Sequence, residues 1–136
     1  YANIRRDKCF ALNFLPLSCY DRLLETIAHN DAESDEFAAG GFTLERAQTV
    51  AAPVIAESFL TMECTLHSLT DLTGAGLTAM VVGEVQSVAV EEEYARGYGK
   101  RYGEDGYMLL IPAPQNLVTG EAAQSGVAVA DFRRLG

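Results

Sequence analysis

The most regular stretch of the chain lies at 59–67, FLTMECTLH, where Leu60, Met62, Cys64 and Leu66 alternate with Thr61, Glu63, Thr65 and His67. A period of two puts successive side chains on opposite faces. The pattern therefore predicts a half-buried antiparallel strand with the apolar set toward the core. DLTGAG follows as a turn, and LTAMVVGEVQSVAVE reads as a second long, Val-rich strand. The two segments, 59–67 and 77–90, are expected to pair as a hairpin through the turn containing Gly74 and Gly76. Gly83, inside the second strand, predicts a bulge or bend. Earlier in the chain, KCFALNFL reads as a buried strand closed by Pro16, which has no amide to donate to a ladder.

The helical period appears in LSCYDRLLETIAHN, where Leu23, Leu24, Ile27 and Ala28 form one apolar face. Ser18 with Asp21 three residues later is a capping-box signature, and Asn30 is the expected stop. Residues 1–7 read as the tail of another helix. DEFAA makes a single helical turn broken by Gly40 and Gly41, TLERAQ makes a further turn capped by Thr43, and Pro53 marks a loop. EEEYARGYGKRYG divides into a short helix with acidic residues at its start and a Gly-rich loop. GYMLLIP and GVAVADF are two more short strands. Runs of strands with a few helices between them define an α+β, mainly β class, a β-barrel with helical insertions.

Composition narrows the function classes. The chain has 136 residues, one domain's worth, with 49% hydrophobic and 21% charged residues, an ordinary globular profile. Its formal net charge of −9 argues against nucleic acid or an anionic membrane surface as partner, since both need a basic footprint. No apolar run approaches the roughly 20 residues of a membrane-spanning helix. Cys9, Cys19 and Cys64 are widely spaced among apolar neighbours, which reads as reduced thiols in a cytoplasmic protein and gives no metal-binding spacing.

Catalytic signatures are sparse. GxSxG, HExxH, a P-loop and CxxC are all absent. GYGKRYG misses the GxGxxG spacing and follows no parallel βα unit, so it reads as a loop. DAESDE lacks the glycine and glutamate of a calcium loop and reads as a solvated acidic face. His29 near a helix end suits a capping role. His67, on the polar face of its strand, is either solvent-facing or a donor to a ligand at a barrel mouth. Arg5, Arg6 and Lys8 form the one dense basic cluster. Two readings stand for it: a helix C-terminus complementing its dipole, or a site for an anionic ligand such as a phosphate.

Several stretches in order and spacing resemble the flavin reductase-like, FMN-binding split-barrel family of the flavoredoxin type. YANIRRDKCFALNFLP resembles its helix running into a strand. DEFAAGGFTLERAQTVAAPVIAES resembles its D-x-F-x-x-x-G segment, LTMECTL and VVGEVQSVAVEEE its paired barrel strands, and KRYGEDGYMLLIPAPQNLVTGE the C-terminal segment of one subgroup. The resemblance implies an antiparallel split β-barrel of the FMN-binding type with short helical insertions. Residues 1–136 would form a single domain, the C-terminal part of that barrel, with its N-terminal strands lying upstream of Tyr1. It implies a homodimer that shelters FMN and passes hydride from NAD(P)H to flavin, with no catalytic side chain and no metal of its own. By the same resemblance Tyr1, Asn3, Arg5 and Arg6 border the flavin phosphate region, while Phe37, Gly41 and Phe42 lie near the isoalloxazine. The family's principal phosphate-binding Ser/Thr positions have no counterpart in this chain. The alternative is a non-enzymatic dimeric split-barrel protein that binds flavin or haem.

Overall fold

The structure is a computed structural model, which describes residues 2–28, 34–76, 78–97, 99–111 and 115–133. Tyr1, His29, Asn30 and the first half of the acidic DAESDE run lie outside the described residues.

A three-stranded antiparallel sheet in the order β1 (Cys9–Phe14), β4 (Leu60–Asp71), β5 (Ala79–Val90) is the frame. Two small antiparallel pairs flank it: β2 (Leu44–Arg46) with β3 (Pro53–Ile55), and β6 (Met108–Ile111) with β7 (Gly126–Val129). Four short helices punctuate the strands: α1 (Ala2–Asp7), α2 (Tyr20–Ala28), α3 (Glu36–Ala39) and α4 (Glu92–Arg96). The arrangement is α+β and mainly β, and among the described residues its sheets do not close on themselves.

The expected hairpin is present and longer than its periodic core. Its turn is held by Asp71, whose carboxylate accepts from the amides of Thr73 (3.0 Å), Gly74 (3.1 Å) and Gly76 (2.8 Å). Register slips occur between Glu63 and Cys64 and between Leu66 and Ser68, the second opposite Gly83. The reason for glycine at 83 is a close approach: a Cβ there would sit 2.4 Å from Cζ of Phe10, so the ring of β1 packs where a side chain on β5 would stand.

The bulges change the face assignment. Cys64 is buried, and Leu60, Met62 and Leu66 are half-buried as expected. Glu63 was expected on the polar, outward face, yet it is 5% exposed. Its carboxylate accepts from the amides of Gln48 (2.9 Å) and Thr49 (2.6 Å) and from the Thr49 hydroxyl (2.6 Å), so the 48–49 loop replaces water around it.

Three local readings are corrected. The Ser18 capping box does not form: Ser18 lies inside a 3-10 turn over Leu17–Cys19, and its amide donates to Asp105 at 2.8 Å. The TLERAQ turn capped by Thr43 is instead β2, opened by Thr43 and paired with β3, and Pro53 is the first residue of β3 rather than part of a loop. Helix α2 presents Arg22, Leu23 and Thr26 inward and leaves Leu24 and Ile27 exposed, because the Arg22 side chain, rather than an apolar stripe, docks it.

The core has two centres. Leu15, Cys19 and Phe42 are buried together with Leu23, Phe37, Ile55 and Met108 against them. A second centre is aromatic: Phe59 stacks on Tyr94 with centroids 4.3 Å apart and meets Tyr107 at 5.3 Å.

Candidate functional site

Beside β1 the chain forms a cavity of about 430 Å³. Its floor is one face of β1, where a period of two brings Cys9, Ala11 and Asn13 to the same side. Helix α1 supplies Asn3, Ile4, Arg6 and Asp7, α3 supplies Glu36 and Phe37, and the 51–53 segment supplies Ala51, Ala52 and Pro53. The structure thus brings Asn3, Arg6 and Phe37 together from two distant parts of the sequence.

Each wall is fixed from behind. Asp35 caps α3, its carboxylate accepting from the amides of Phe37 (3.1 Å) and Ala38 (3.2 Å). The Asn13 carboxamide oxygen accepts from the amide of Ile55 (3.0 Å) and the hydroxyl of Ser58 (3.3 Å), which ties β3 to β1 and leaves Nδ2 as the donor this side chain can offer. The bonds from Gln48 and Thr49 to Glu63 hold the preceding loop. These bonds keep the Glu63 carboxyl below its ordinary range, the Thr49 hydroxyl being the largest cause.

In this cavity Arg6 is already paired, and Glu36 adds a further carboxylate. Arg6 forms a forked pair with Asp7, Nε to Oδ1 at 2.7 Å and Nη2 to Oδ2 at 2.8 Å. That pair lowers the pKa of Asp7 and raises that of Arg6. The cavity therefore offers a neutralised ion pair, the Glu36 carboxylate, amide groups, an aromatic ring and small apolar residues.

The remaining expected site residues lie elsewhere. Arg5 lines a different cavity, of about 560 Å³, at the far end of β4. Phe42 is buried in the core and lines a small space of about 120 Å³ with Leu23, Thr26, Glu36, Phe37 and Ile55. Gly41 adopts a φ of +62°, a left-handed turn that favours glycine, and its carbonyl accepts from Arg22. The Arg22 guanidinium also donates to the Gly40 carbonyl (3.0 Å), pairs with Glu57 (2.7 Å) and covers the Phe42 ring at 4.3 Å. Gly41 and Phe42 thus sit in the hinge that positions α3. Tyr1 lies outside the described residues.

Two lining groups were missed in the sequence although a signal existed. Cys9 and Asn13 share the face of Ala11 by simple alternation in CFALNF, and reading that face as a surface rather than as core would have placed them. The roles of Arg22, Glu57 and Glu63 had no local signal, since each acts on a segment distant in sequence. Among the described residues no group of His, Cys, Asp and Glu is arranged to hold a metal ion, and no helix is long and apolar enough to cross a membrane.

The family model described as "Flavin reductase like domain" matches residues 1–105. No curated protein matches the chain. Among solved structures it is similar to nitrilotriacetate monooxygenase component B from Bacillus cereus, with a TM-score of 0.70 and 16% identity over 98% of this chain and 62% of that one. It is also similar to 2-nitrobenzoate 2-nitroreductase of Pseudomonas fluorescens (0.67, 20% identity, 99% and 62%) and to flavoredoxin of Desulfovibrio vulgaris (0.64, 19% identity, 100% and 66%). At these identities the likeness is one of fold, that of a split barrel with short helical insertions. The chain spans 62% of the length of the first two of these structures.

Proposed function

Since the chain belongs to the flavin reductase-like domain family, we propose that it is an FMN-binding oxidoreductase that passes hydride from NAD(P)H to flavin. The observation that carries this reading is the cavity beside β1, which gathers Asn3, Arg6 and Phe37. Its volume of about 430 Å³ falls in the range of small-molecule sites, roughly 300–1,000 Å³.

The residues suit the ring end of a flavin. Phe37 offers an aromatic face, Ala51, Ala52 and Pro53 exclude water, and the Asn3 and Asn13 amides offer directional hydrogen bonds. Flavin, when bound, supplies the hydride-accepting centre, so the chain needs no general acid or base for that step. Its own residues bind, orient and dry the site. Gly41, Phe42 and Arg22 act one step back by holding α3.

The reading extends to the assembly. Residues 1–136 form one domain, the C-terminal part of a barrel whose further strands pair with the outer edges of β1 and β5. Neither edge has a partner strand among the described residues. Two chains associate as a homodimer, and the free buried thiols Cys9, Cys19 and Cys64 suit the reducing cytoplasm.

The test is anaerobic addition of NADH or NADPH to the purified protein reconstituted with FMN. Bleaching of the yellow colour is expected. A colourless protein that ignores added FMN overturns the flavin reading, and one that binds FMN without bleaching is the non-enzymatic binder.

A further inference from the structure

A cavity of about 500 Å³ opens between the main sheet and β6. Phe14 of β1, Leu60 and Met62 of β4, and Met108, Leu109 and Leu110 of β6 line it. Phe14 stands opposite Leu60 in the ladder, and alternation turns Leu60 and Met62 to the same face. Among the described residues no charged side chain borders this space. The connection from β6 to β7 carries a projection of the same apolar character. Beyond the bridge between Gln115 and Ala122, a turn presents Leu117 99% and Val118 93% exposed. The next most exposed large apolar residue among the described ones is Leu72, at 61%. The turn is tied from within. The Asn116 carboxamide oxygen accepts from the amides of Val118 (2.9 Å) and Thr119 (3.1 Å). The Asn116 carbonyl accepts from Gly120 (2.8 Å), and its amide donates to the Glu121 carbonyl (2.8 Å).

We propose that the Leu117–Val118 tip inserts into this cavity on a second copy of the chain, and that the exchange is reciprocal. The exposure of both side chains shows that the chain's own tip does not fill its own cavity. Room is sufficient: the side-chain carbons of Leu117 and Val118 need about 200 Å³ at roughly 30 Å³ each, the share of a water in the liquid. The turn is already ordered by its hydrogen bonds, so little further entropy is lost when it is buried. Charge selects a second copy as the occupant. Two chains of net charge −9 repel, and they approach most readily through uncharged surfaces. The 115–120 tip, QNLVTG, carries no charge, and neither does the cavity lining. A basic partner would be drawn to the acidic surface instead. Reciprocal insertion repeats one contact about a twofold axis and leaves no free tip or cavity. The inference rests on the proposed homodimer and names the parts that hold it together.

The experiment mixes two single variants, Leu117→Cys and Leu110→Cys, under mild oxidation and looks for a covalent pair by intact mass. Both positions are exposed, and the native thiols Cys9, Cys19 and Cys64 are buried. A disulfide between the two variants can form only if the tip of one chain meets the cavity of another. The mixture should yield the mixed dimer, and Leu117→Cys alone should not cross-link to itself. In sedimentation, Leu117→Asp should raise the dimer dissociation constant at least about tenfold, with an unchanged melting profile as the folding control. A wild-type dimer whose dissociation is unaffected by Leu117→Asp, with no mixed disulfide, overturns this contact and leaves the homodimer standing. A monomeric wild type overturns both, and its sedimentation with phosphatidylcholine vesicles would assign the tip to a lipid surface. A tip-joined dimer whose bound FMN is not bleached by NAD(P)H sinks the reductase reading alone.

Discussion

The Glu63 carboxylate accepts from two consecutive amides and a hydroxyl at Gln48 and Thr49, from a strand position that strict alternation turns toward water. Glu63→Gln keeps the shape but sets an NH2 group against donors, and is expected to destabilise by about 2–3 kcal/mol in urea unfolding. The pH dependence follows from the depressed pKa in the folded state. The contribution of Glu63 is fully present above its unfolded pKa of about 4.3 and is lost as pH falls through the lower folded value. Glu57, held low chiefly by Arg22, and Asp71, held low chiefly by the Thr73 amide, act in the same direction. Stability measured from pH 7 down to pH 3 should therefore fall less steeply in Glu63→Gln than in wild type, while retaining some slope. At this scale the sequence was legible where geometry is local. Gly83 announced a bulge, but alternation could not reveal that the neighbouring slip buries Glu63, because the loop that satisfies it is far along the chain.

Elements were legible in proportion to their length and periodicity. β1, β4, β5, β6, β7, α1, α3 and α4 stand where the pattern put them, and α2 exists as expected but faces the core with a different side. The misreading of α2 and of β2 has one cause. Both are placed by the Arg22–Glu57 network, in which Glu57 also accepts from the Thr43 amide at 3.2 Å, and no periodicity encodes an arginine fork. The same cause explains why the candidate site was only partly legible: Phe37 reaches the cavity because Arg22 grips the carbonyls of Gly40 and Gly41 at the end of α3. Arg22→Lys preserves charge but loses the fork and the cover over Phe42, and should destabilise by about 1.5–3 kcal/mol. If the cavity beside β1 holds flavin, FMN affinity should also weaken several-fold in fluorescence titration, since α3 would loosen. A variant that melts lower yet binds FMN as tightly as wild type would separate the hinge from the site.

Over the whole molecule, the apolar face of the main sheet is only partly covered: Leu12, Met62 and Val88 lie in one register row and Phe14, Leu60 and Val90 in the next, with Leu12 44% and Val88 55% exposed. A continuous apolar face of this kind favours burial against another surface. In the proposed homodimer Val88→Glu should shift sedimentation from twice the chain mass toward the 14.7 kDa monomer, whereas Glu84→Gln, on the other face, should not. The long β4–β5 hairpin carries a further consequence, for the order of events in folding. Its strands are adjacent in sequence and its turn is pre-tied by Asp71, so closing it sacrifices little chain entropy. β1 must instead find β4 across the intervening α2, α3 and β2–β3 segments. The hairpin should therefore be largely assembled at the rate-limiting barrier and β1 should dock after it. Val81→Ala, within the hairpin, is expected to slow refolding in a stopped-flow chevron, and Phe10→Leu, on β1, to accelerate unfolding while leaving the refolding rate nearly unchanged.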